Sequence, residues 1–406
     1  MTRRRLAVAC LALAVAAAGA AAAYRVHWWH HVPTVRGSPT IEYTRTVQAP
    51  HLPPESGLAW PTYGYDQERT RSSPVRHMRP PFRRLWTFHG RSLLELPPVL
   101  GYGRVYLTTF DGRLLALDAA TGHTVWRYSS GRCGWASPAL ADRLVYDTFI
   151  GNEDCHSHAT DGQVAAFDSR TGRLRWLRQI GPTESSPLVV DGVVYVGDWN
   201  GRVWALDAAS GRTRWTSDLA GAIKGSLAMS DDRLFIGTYA GDVVSLDART
   251  GRVLWRSGGH GPFYASPAVA YGRVFIGSLY GGVYAFGATT GHLLWSRPTG
   301  TYVYASAAIW RGLVLVGSYN HDFYAFDAGT GDIRWRFHAD EVISGAASVV
   351  DGLVYFSTFG EHTYALHAAD GRVAKTWADG KYSPVVADAT HLYLVGLGRL
   401  YALTPR

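Results

Sequence analysis

The sequence predicts an all-β fold, an eight-bladed β-propeller of four-stranded antiparallel blades, preceded by an N-terminal signal or transmembrane helix. Three observations predict it. A tryptophan recurs roughly every 40 residues, short β-branched and aromatic runs alternate with glycine-containing turns, and an arginine-rich start precedes an apolar run. Because one propeller blade takes about 40 residues, these features together indicate an exported repeat protein.

The tryptophan spacing defines the repeats. Successive copies are separated by 40, 50, 39, 40, 40, 40 and 42 residues, at Trp86, Trp126, Trp176, Trp215, Trp255, Trp295, Trp335 and Trp377. A clean copy between Ala265 and Trp295 holds short apolar runs, separated by glycine-containing turns, before the tryptophan run. Four such strands form one blade of a meander.

The strand order predicts how the ring closes. Eight sets of three strands follow Trp86, the last from Tyr382 to Leu403, and no tryptophan strand follows this last set. We therefore expect residues 84–88 to supply the outer strand of blade eight, which removes an open sheet edge.

The N-terminus carries the features of an export signal. Arg3, Arg4 and Arg5 precede an apolar run at residues 6–23, close to the shortest length that spans a bilayer. We divide the chain into a signal anchor or signal peptide at 1–23, a proline-rich linker at 24–57 and the propeller at 58–406. This division predicts a single-pass protein of the cytoplasmic membrane with its propeller outside, or a secreted protein if the signal is cleaved.

The positive charge is dispersed. The formal net charge is +8, yet lysine occurs only at positions 224, 375 and 381, and many arginines stand singly beside turn glycines. We interpret these arginines as solvated surface and expect no nucleic-acid partner, since they form no basic stripe. They are Arg104, Arg113, Arg173, Arg202, Arg212, Arg252, Arg273 and Arg372.

The turn before each tryptophan resembles the docking motif of the PQQ-like (pyrroloquinoline quinone repeat) propeller family, Ala-x-Asp-x-x-Thr-Gly-x-x-x-Trp. The motif aspartate stands at Asp118, Asp168, Asp207, Asp247 and Asp327. Gly287 takes its place in copy five, and His367 takes it in copy seven, which also has two extra residues before its tryptophan. We interpret the motif as structural: aspartate accepts backbone hydrogen bonds, glycine supplies a positive φ, and tryptophan fills the space between blades.

The resemblance extends over about residues 58–406 and implies two functions. The family includes quinoprotein alcohol dehydrogenases, in which the quinone rests on a disulfide of adjacent cysteines and calcium is bound nearby. It also includes a non-enzymatic eight-bladed lipoprotein of outer-membrane assembly. The only cysteines are Cys10, Cys133 and Cys155, so the adjacent pair is absent. We therefore expect a non-catalytic, monomeric binding or scaffold module without cofactor, whose partner is a protein or another cell-envelope component. The alternative is a divergent PQQ-dependent oxidoreductase of alcohols or sugars that uses PQQ with calcium.

Blade two contains an insertion of about ten residues. It lies at 151–160, and Cys133 lies in the connection that enters the same blade. Since both connections emerge on one face of a meander, we expect a disulfide between Cys133 and Cys155. A metal site of Asp154, Cys155, His156 and His158 is the alternative.

One residue of each blade is expected to bend toward the central funnel. This residue stands two positions before the recurrent Ser-Pro position at which each inner strand begins. The set is Glu95, Trp135, Glu184, Lys224, Tyr264, Tyr304, Ser344 and Lys381. Glu184 would neighbour Lys224, and Lys381 would neighbour Glu95. These residues form either rim salt bridges or the mouth of a binding site.

A second ring follows the second strand of each blade. We interpret it as packing between blades, and it comprises Phe110, Phe149, Trp199, Tyr239, Leu279, Tyr319, Phe359 and Leu397.

Overall fold

Short strands joined by tight turns form the regular structure of the computed structural model. It describes residues 32–45, 50–53, 55–151 and 159–406, and none of these residues is helical. Within these ranges there is no helix long and apolar enough to cross a membrane. The helix expected over residues 6–23 lies outside the described residues.

Three strands precede the first complete set of blade strands: β1 (Leu58–Trp60), β2 (Ser72–Ser73) and β3 (Phe82–His89). The strands of blades one to four then follow in chain order: β4 (Val99–Gly101), β5 (Arg104–Thr108), β6 (Arg113–Asp118), β7 (Thr124–Ser129), β8 (Ala139–Ala141), β9 (Leu144–Ile150), β10 (Gly162–Asp168), β11 (Leu174–Ile180), β12 (Leu188–Val190), β13 (Val193–Gly197), β14 (Arg202–Asp207), β15 (Thr213–Asp218), β16 (Ala228–Ser230), β17 (Arg233–Gly237), β18 (Val243–Asp247) and β19 (Val253–Ser257).

Blades five to eight use the remaining strands. They are β20 (Ala268–Ala270), β21 (Arg273–Ser278), β22 (Gly282–Gly287), β23 (Leu293–Pro298), β24 (Ala308–Trp310), β25 (Leu313–Gly317), β26 (Asp322–Asp327), β27 (Ile333–His338), β28 (Ser348–Val350), β29 (Leu353–Ser357), β30 (Thr363–His367), β31 (Val373–Trp377), β32 (Val386–Ala387), β33 (Leu392–Val395) and β34 (Arg399–Pro405). The eight sheets are antiparallel meanders of four strands, and the innermost strands of blades one and seven also pair with β1 and β2. The predicted eight-bladed architecture is confirmed.

The hydrophobic core lies between neighbouring blades. Every residue of β13 and of β22 is buried, because each blade is covered on both faces, whereas β15 is largely exposed. One core cluster joins Val193 of blade three to Leu234 of blade four. Middle strands therefore have continuous apolar sequences, and outer strands alternate.

The ring closes through β3 and β34. The two strands pair antiparallel from Phe82 opposite Pro405 to His89 opposite Arg399, with Trp86 opposite Ala402. The predicted closure by residues 84–88 is therefore confirmed. It joins two distant parts of the sequence in one sheet and removes the open edge of blade eight.

Tryptophans of the outer strands dock onto the next blade. Trp126 Nε1 donates to the carbonyl of Ser169 at 2.9 Å, and a Cβ on Gly172 would lie 2.6 Å from the Trp126 ring. Glycine is thus required both for its positive φ and for this close approach. Indole nitrogens donate in the same way from Trp86, Trp126, Trp176, Trp215, Trp255, Trp295 and Trp335.

Trp377 departs from this arrangement. Lys375 lies opposite Ala365, the position that Trp335 takes opposite Ala325, and Trp377 comes two residues later. Trp377 still packs against Phe82 of β3, with 6.2 Å between ring centroids, so it fills space between blades seven and eight from outside the docking register. A docking tryptophan needs the turn between the third and fourth strands of the next blade, and blade eight lacks this turn because β34 and β3 are not consecutive.

The motif aspartates close the turns that receive these tryptophans. Asp118 accepts from the backbone nitrogen of Thr121 at 2.9 Å and from its hydroxyl at 2.8 Å. In copy five, where Gly287 replaces the aspartate, Glu42 carboxylate oxygens accept from the Thr290 hydroxyl at 2.8 and 2.7 Å. A residue of the proline-rich segment thus supplies the missing carboxylate.

Residues 32–45, which belong to the linker predicted at 24–57, lie along blades five and six. Val35 forms a β-bridge with Ser296. Arg273 is completely buried, and its guanidinium donates to the carbonyls of Glu42, Ser38, Ile41, Ala328 and Gly329. The interpretation of Arg273 as a solvated turn residue is wrong, because this segment covers it.

Residues 61–71 cross the inner end of the ring. The carbonyls of Pro61, Gln67, Glu68, Thr70 and Arg71 accept from backbone nitrogens of the inner strands of blades two, four, five, six and seven at 2.7 to 2.8 Å. These bonds satisfy inner-strand donors that would otherwise face the axis. Tyr63 of this segment lines the central cavity, and Asp66 and Glu68 help to line a second cavity of about 570 Å³.

Candidate binding funnel

The connections that enter the blades enclose a central cavity of about 320 Å³. Seven of the eight residues predicted for the funnel mouth line it, and they are Glu95, Trp135, Glu184, Lys224, Tyr264, Tyr304 and Ser344. The eighth, Lys381, does not line the cavity but lies over two aromatic rings of its wall. One position per blade thus converges on one space, because the blades are arranged radially.

Buried serines form a hydrogen-bonded arc beneath this mouth. The backbone nitrogen of each donates to the hydroxyl oxygen of the next at 2.8 to 2.9 Å, in the order Ser137, Ser186, Ser226, Ser266 and Ser306. The last four serines also line the cavity. The arc connects neighbouring blades near the axis. The recurrent Ser-Pro position was the sequence signal for these serines, but our prediction used that position only to align the blades.

Tyr63 of the axial segment lines the inner end of the cavity, with two buried arginines beside it. The Arg71 guanidinium carbon lies 4.6 Å from the Tyr63 ring centroid, and that of Arg69 lies 5.7 Å from it. Burial alone would raise the pKa of Tyr63, but the charges of Arg71 and Arg69, together with hydrogen bonds from Arg71 and Ser306, hold it below its ordinary value. Burial and the neighbouring Arg71 lower the pKa of Arg69 to about 9.

One side of the funnel contains a closed charge network. Lys224 Nζ lies 2.8 Å from Glu184 Oε1 and 3.0 Å from the centroid of the Trp199 ring. The Tyr264 hydroxyl donates to the other oxygen of Glu184. Burial lowers the pKa of Lys224, although the adjacent carboxylate opposes this shift. Glu184 and Lys224 are therefore neighbours, as expected.

The cavity also contains a carboxylate that lacks a counterion among the described residues. Glu95 has neither an ion pair nor a side-chain hydrogen bond among the described residues, and it is half-buried. Burial, together with the negative charge of Glu184, raises the pKa of Glu95 to about 7. The expected pairing with Lys381 does not form. The Lys381 ammonium instead lies 5.4 Å from the Phe359 ring centroid and 5.7 Å from that of Tyr382.

A belt of aromatic rings completes the wall. Centroid distances are 5.1 Å between Tyr264 and Tyr304, 4.9 Å between Tyr304 and Tyr319, and 6.0 Å between Tyr319 and Phe359. Tyr302, which is 51% exposed, continues the belt at 6.0 Å from Tyr304. These distances are those of interacting aromatic pairs.

The second predicted ring contributes to this belt. Phe110 stacks on Trp135 at 5.9 Å, and Trp199 lies 6.2 Å from Trp135. Tyr239 contacts Tyr264 edge-to-face, with 6.4 Å between the ring centroids. The interpretation as packing between blades is thus incomplete, since Tyr319 and Phe359 also line the cavity. Phe149 differs, because it lies within β9 and is fully buried.

The structure describes only residues 151, 159 and 160 of the insertion in blade two. Cys133 is buried and forms an antiparallel bridge with Ile150, the last residue of β9. Cys155 lies outside the described residues, as do Asp154, His156 and His158. The disulfide between Cys133 and Cys155 stays a prediction, and peptide mapping without reduction tests it; free thiols at both positions would favour the metal site.

The described part of the cavity offers an anionic quinone no unpaired cation. Two carboxylates, those of Glu95 and Glu184, line the cavity. The ammonium of Lys224, which also lines it, is already paired with Glu184. An anionic quinone would meet the unpaired Glu95 there. Across the described part of the chain, no group of three or more histidine, cysteine, aspartate or glutamate residues is placed to hold a metal ion.

The family is identified by sequence comparison. The family model described as "Outer membrane protein assembly factor BamB" matches residues 79–215 and 199–404. A protein of that name from Bordetella pertussis is 33% identical over 91 residues, which are 22% of this chain and 22% of that protein. 1-Butanol dehydrogenase (cytochrome c) from Thauera butanivorans is 32% identical over 151 residues, 34% of this chain and 21% of the enzyme. The chain thus spans under a quarter of these relatives' lengths.

Solved structures show the same fold at low identity. BamB from Moraxella catarrhalis superposes with a TM-score of 0.66 and 16% identity, covering 80% of this chain and 99% of that one. Quinohemoprotein alcohol dehydrogenase from Comamonas testosteroni gives 0.71 and 14%, covering 86% of this chain and 80% of that one. With its repeats matched almost throughout, the chain belongs to the PQQ-like propeller family whose model is described as outer membrane protein assembly factor BamB.

Proposed function

We propose that this protein is a non-catalytic binding propeller whose funnel mouth holds a segment of a protein partner. The observation that carries the proposal is the cavity of about 320 Å³, walled by the aromatic belt and bounded at its inner end by Tyr63. Aromatic anchors around a few fixed polar groups are typical of binding sites.

The lining chemistry supports binding rather than catalysis. No histidine or cysteine occurs among the described residues that line the cavity, so its serines have no neighbouring base of the usual kind. Lys224 is held by Glu184 and Trp199. The name of the matching family, an assembly factor, supports a protein partner.

We further propose that the propeller works outside the cytoplasm. The support is the sequence of the N-terminus, where Arg3, Arg4 and Arg5 precede the apolar residues 6–23. Whether the segment is retained as an anchor is testable: protein that begins near Tyr24 in a soluble extracytoplasmic fraction would establish cleavage instead.

The test places a photocrosslinking phenylalanine at the exposed rim residue Tyr302 in the full chain, expressed in its native host. We expect one discrete adduct, identified by mass spectrometry, that is lost when Trp135, Tyr264 and Tyr304 are all replaced by alanine. The control is the same crosslinker at Trp310, which lines the second cavity. An adduct unchanged by the triple substitution would contradict the proposal.

The quinoprotein alternative has its own test. A ligand at a hundredfold excess over its Kd stabilises the folded state by about 2.7 kcal/mol, a visible shift in melting temperature. We expect PQQ with calcium to give no shift and no dye-linked oxidation of alcohols or sugars. Stabilisation with turnover would overturn the binding proposal.

A further inference from the structure

The funnel contains more negative than positive charge. Glu95 and Glu184 interact electrostatically, and Lys224 is the ammonium group among the described lining residues. Lys224 neutralises Glu184, since their atoms are 2.8 Å apart. Glu95 therefore faces the cavity with an unmatched negative charge.

Lys224 shows how this cavity accommodates a cation. Its ammonium contacts a carboxylate at 2.8 Å and the face of Trp199, with 3.0 Å to the ring centroid. A carboxylate and an aromatic face together recognise a partly desolvated cation, because the ion pair and the cation–π attraction both strengthen away from water.

The same two components recur around Glu95, but without the cation. Tyr264 and Tyr382 line the same cavity as Glu95, and the negative charge of Glu95 contributes to the raised pKa of both hydroxyls. Tyr304 packs edge-to-face against Tyr264, with 5.1 Å between the ring centroids, and extends the aromatic surface toward the exposed Tyr302. These contacting rings thus lead from the rim into the cavity that Glu95 lines.

We propose that Glu95 and the rings of Tyr264 and Tyr382 form a pocket for a basic side chain, lysine or arginine, of the bound protein segment. This inference rests on the proposed function and names the chemistry of the partner. Lysine or arginine has the length to lie along the tyrosines with its charged end at Glu95.

Lys381 is the internal competitor for this position. Its ammonium lies over Phe359 and Tyr382, outside the cavity lining. If Lys381 swung inward to neutralise Glu95, replacing it by alanine would strengthen the binding of a basic ligand. The proposal expects the Lys381→Ala variant to bind such a ligand within about twofold of the parent.

The experiment uses the full chain in detergent and two capped pentapeptides, Gly-Ser-Lys-Ser-Gly and the same peptide with norleucine in place of lysine. Binding is measured by calorimetry at pH 8. We expect the lysine peptide to bind about tenfold tighter, and Glu95→Gln to remove this preference. Glu361→Gln is the matched control, because Glu361 is exposed on the β29–β30 connection, next to Phe359.

The pH dependence provides a second readout. Glu184, Lys224, Tyr264, Tyr382 and Lys381 are the titratable groups around Glu95. Because the pKa of Glu95 is raised to about 7, its negative charge develops between pH 6 and 8. The affinity for the lysine peptide should therefore rise over this range in the parent and stay level in Glu95→Gln.

The outcomes separate this inference from the proposed function. Equal affinity for both peptides, or an unchanged preference in Glu95→Gln, would overturn the inference while the crosslinking at Tyr302 still tests the binding funnel. A lysine preference that depends on Glu95 would support the pocket. If the crosslinked adduct were at the same time unchanged by the triple alanine substitution, the proposed partner site would be contradicted.

Discussion

The interface between blades five and six and the interface between blades seven and eight solve the same packing problem differently. At the first, Trp295 is completely buried and donates to Ala328 at 3.0 Å in the turn of blade six. At the second, Lys375 takes the docking position, and Trp377 packs on Phe82 of β3 at 6.2 Å. Tryptophan docking thus depends on a continuous hairpin in the next blade, and where blade eight lacks that hairpin, a ring contact between Trp377 and β3 takes its place.

The largest expected effect comes from breaking the closure. Deletion of residues 58–90 removes β1, β2 and β3, so that blade eight loses its outer strand and several inner strands lose their hydrogen-bond acceptors. We expect the cooperative unfolding transition to disappear in calorimetry. A truncated protein that melts as sharply as the parent would refute this role of β3.

The two interfaces should respond very differently to alanine. Trp295→Ala removes a fully buried ring and its hydrogen bond, and we expect a loss of about 3–5 kcal/mol in urea unfolding. Lys375→Ala changes the position of the outer strand of blade seven that corresponds to Trp295 in blade five. It should lower the free energy of unfolding by less than about 0.5 kcal/mol. Similar losses for both variants would contradict the comparison.

A buried carboxyl makes the interface between blades one and two sensitive to pH. Asp147 of blade two is fully buried and accepts from the Thr108 hydroxyl at 2.5 Å, and burial raises its pKa to about 8. Folding favours the protonated form, so this stabilisation is complete below pH ~4 and is lost as pH rises through about 8. Between pH 6 and 9 the parent should lose more thermal stability than Asp147→Asn. Asp191→Asn, at an exposed turn, should behave like the parent.

The smallest effect tests the carboxylate that Glu42 supplies to blade five. Glu42→Ala should cost about 1 kcal/mol, since Thr290 loses a charged acceptor. Gly287→Asp alone should also destabilise, because its Cβ would collide with Glu42. The double variant restores the motif aspartate without the collision and should recover most of the loss. Additive losses would show that Glu42 does not substitute for the aspartate.

The sequence was sufficient for the parts of the structure that repeat. The tryptophan ladder predicted eight blades, and the missing last strand predicted that residues 84–88 close the ring. Alignment of one position per blade also predicted seven cavity-lining residues, including the neighbours Glu184 and Lys224. Each of these predictions relies on a local pattern that is copied with constant geometry around the ring.

Features that occur only once in the chain could not be predicted from the sequence. Arg273 looked like the other turn arginines, and only the docking of residues 32–45 shows that it is buried. Tyr63 gave no signal as part of the cavity, because residues 61–71 reach the axis through backbone bonds that any sequence could make. From the sequence alone, a pair between Glu95 and Lys381 was expected, because both positions were predicted to lie at the mouth of the same funnel.

What the sequence determined by itself is the identity and order of the blades, because a strand pattern and a turn motif act over a few residues. The tertiary structure decided which groups remain unpaired at the axis. Side chains from eight different blades meet there, and whether Lys381 reaches Glu95 or the ring of Phe359 depends on distances of a few ångströms across the funnel. Those distances are set by how the blades pack, and no segment of the chain contains them.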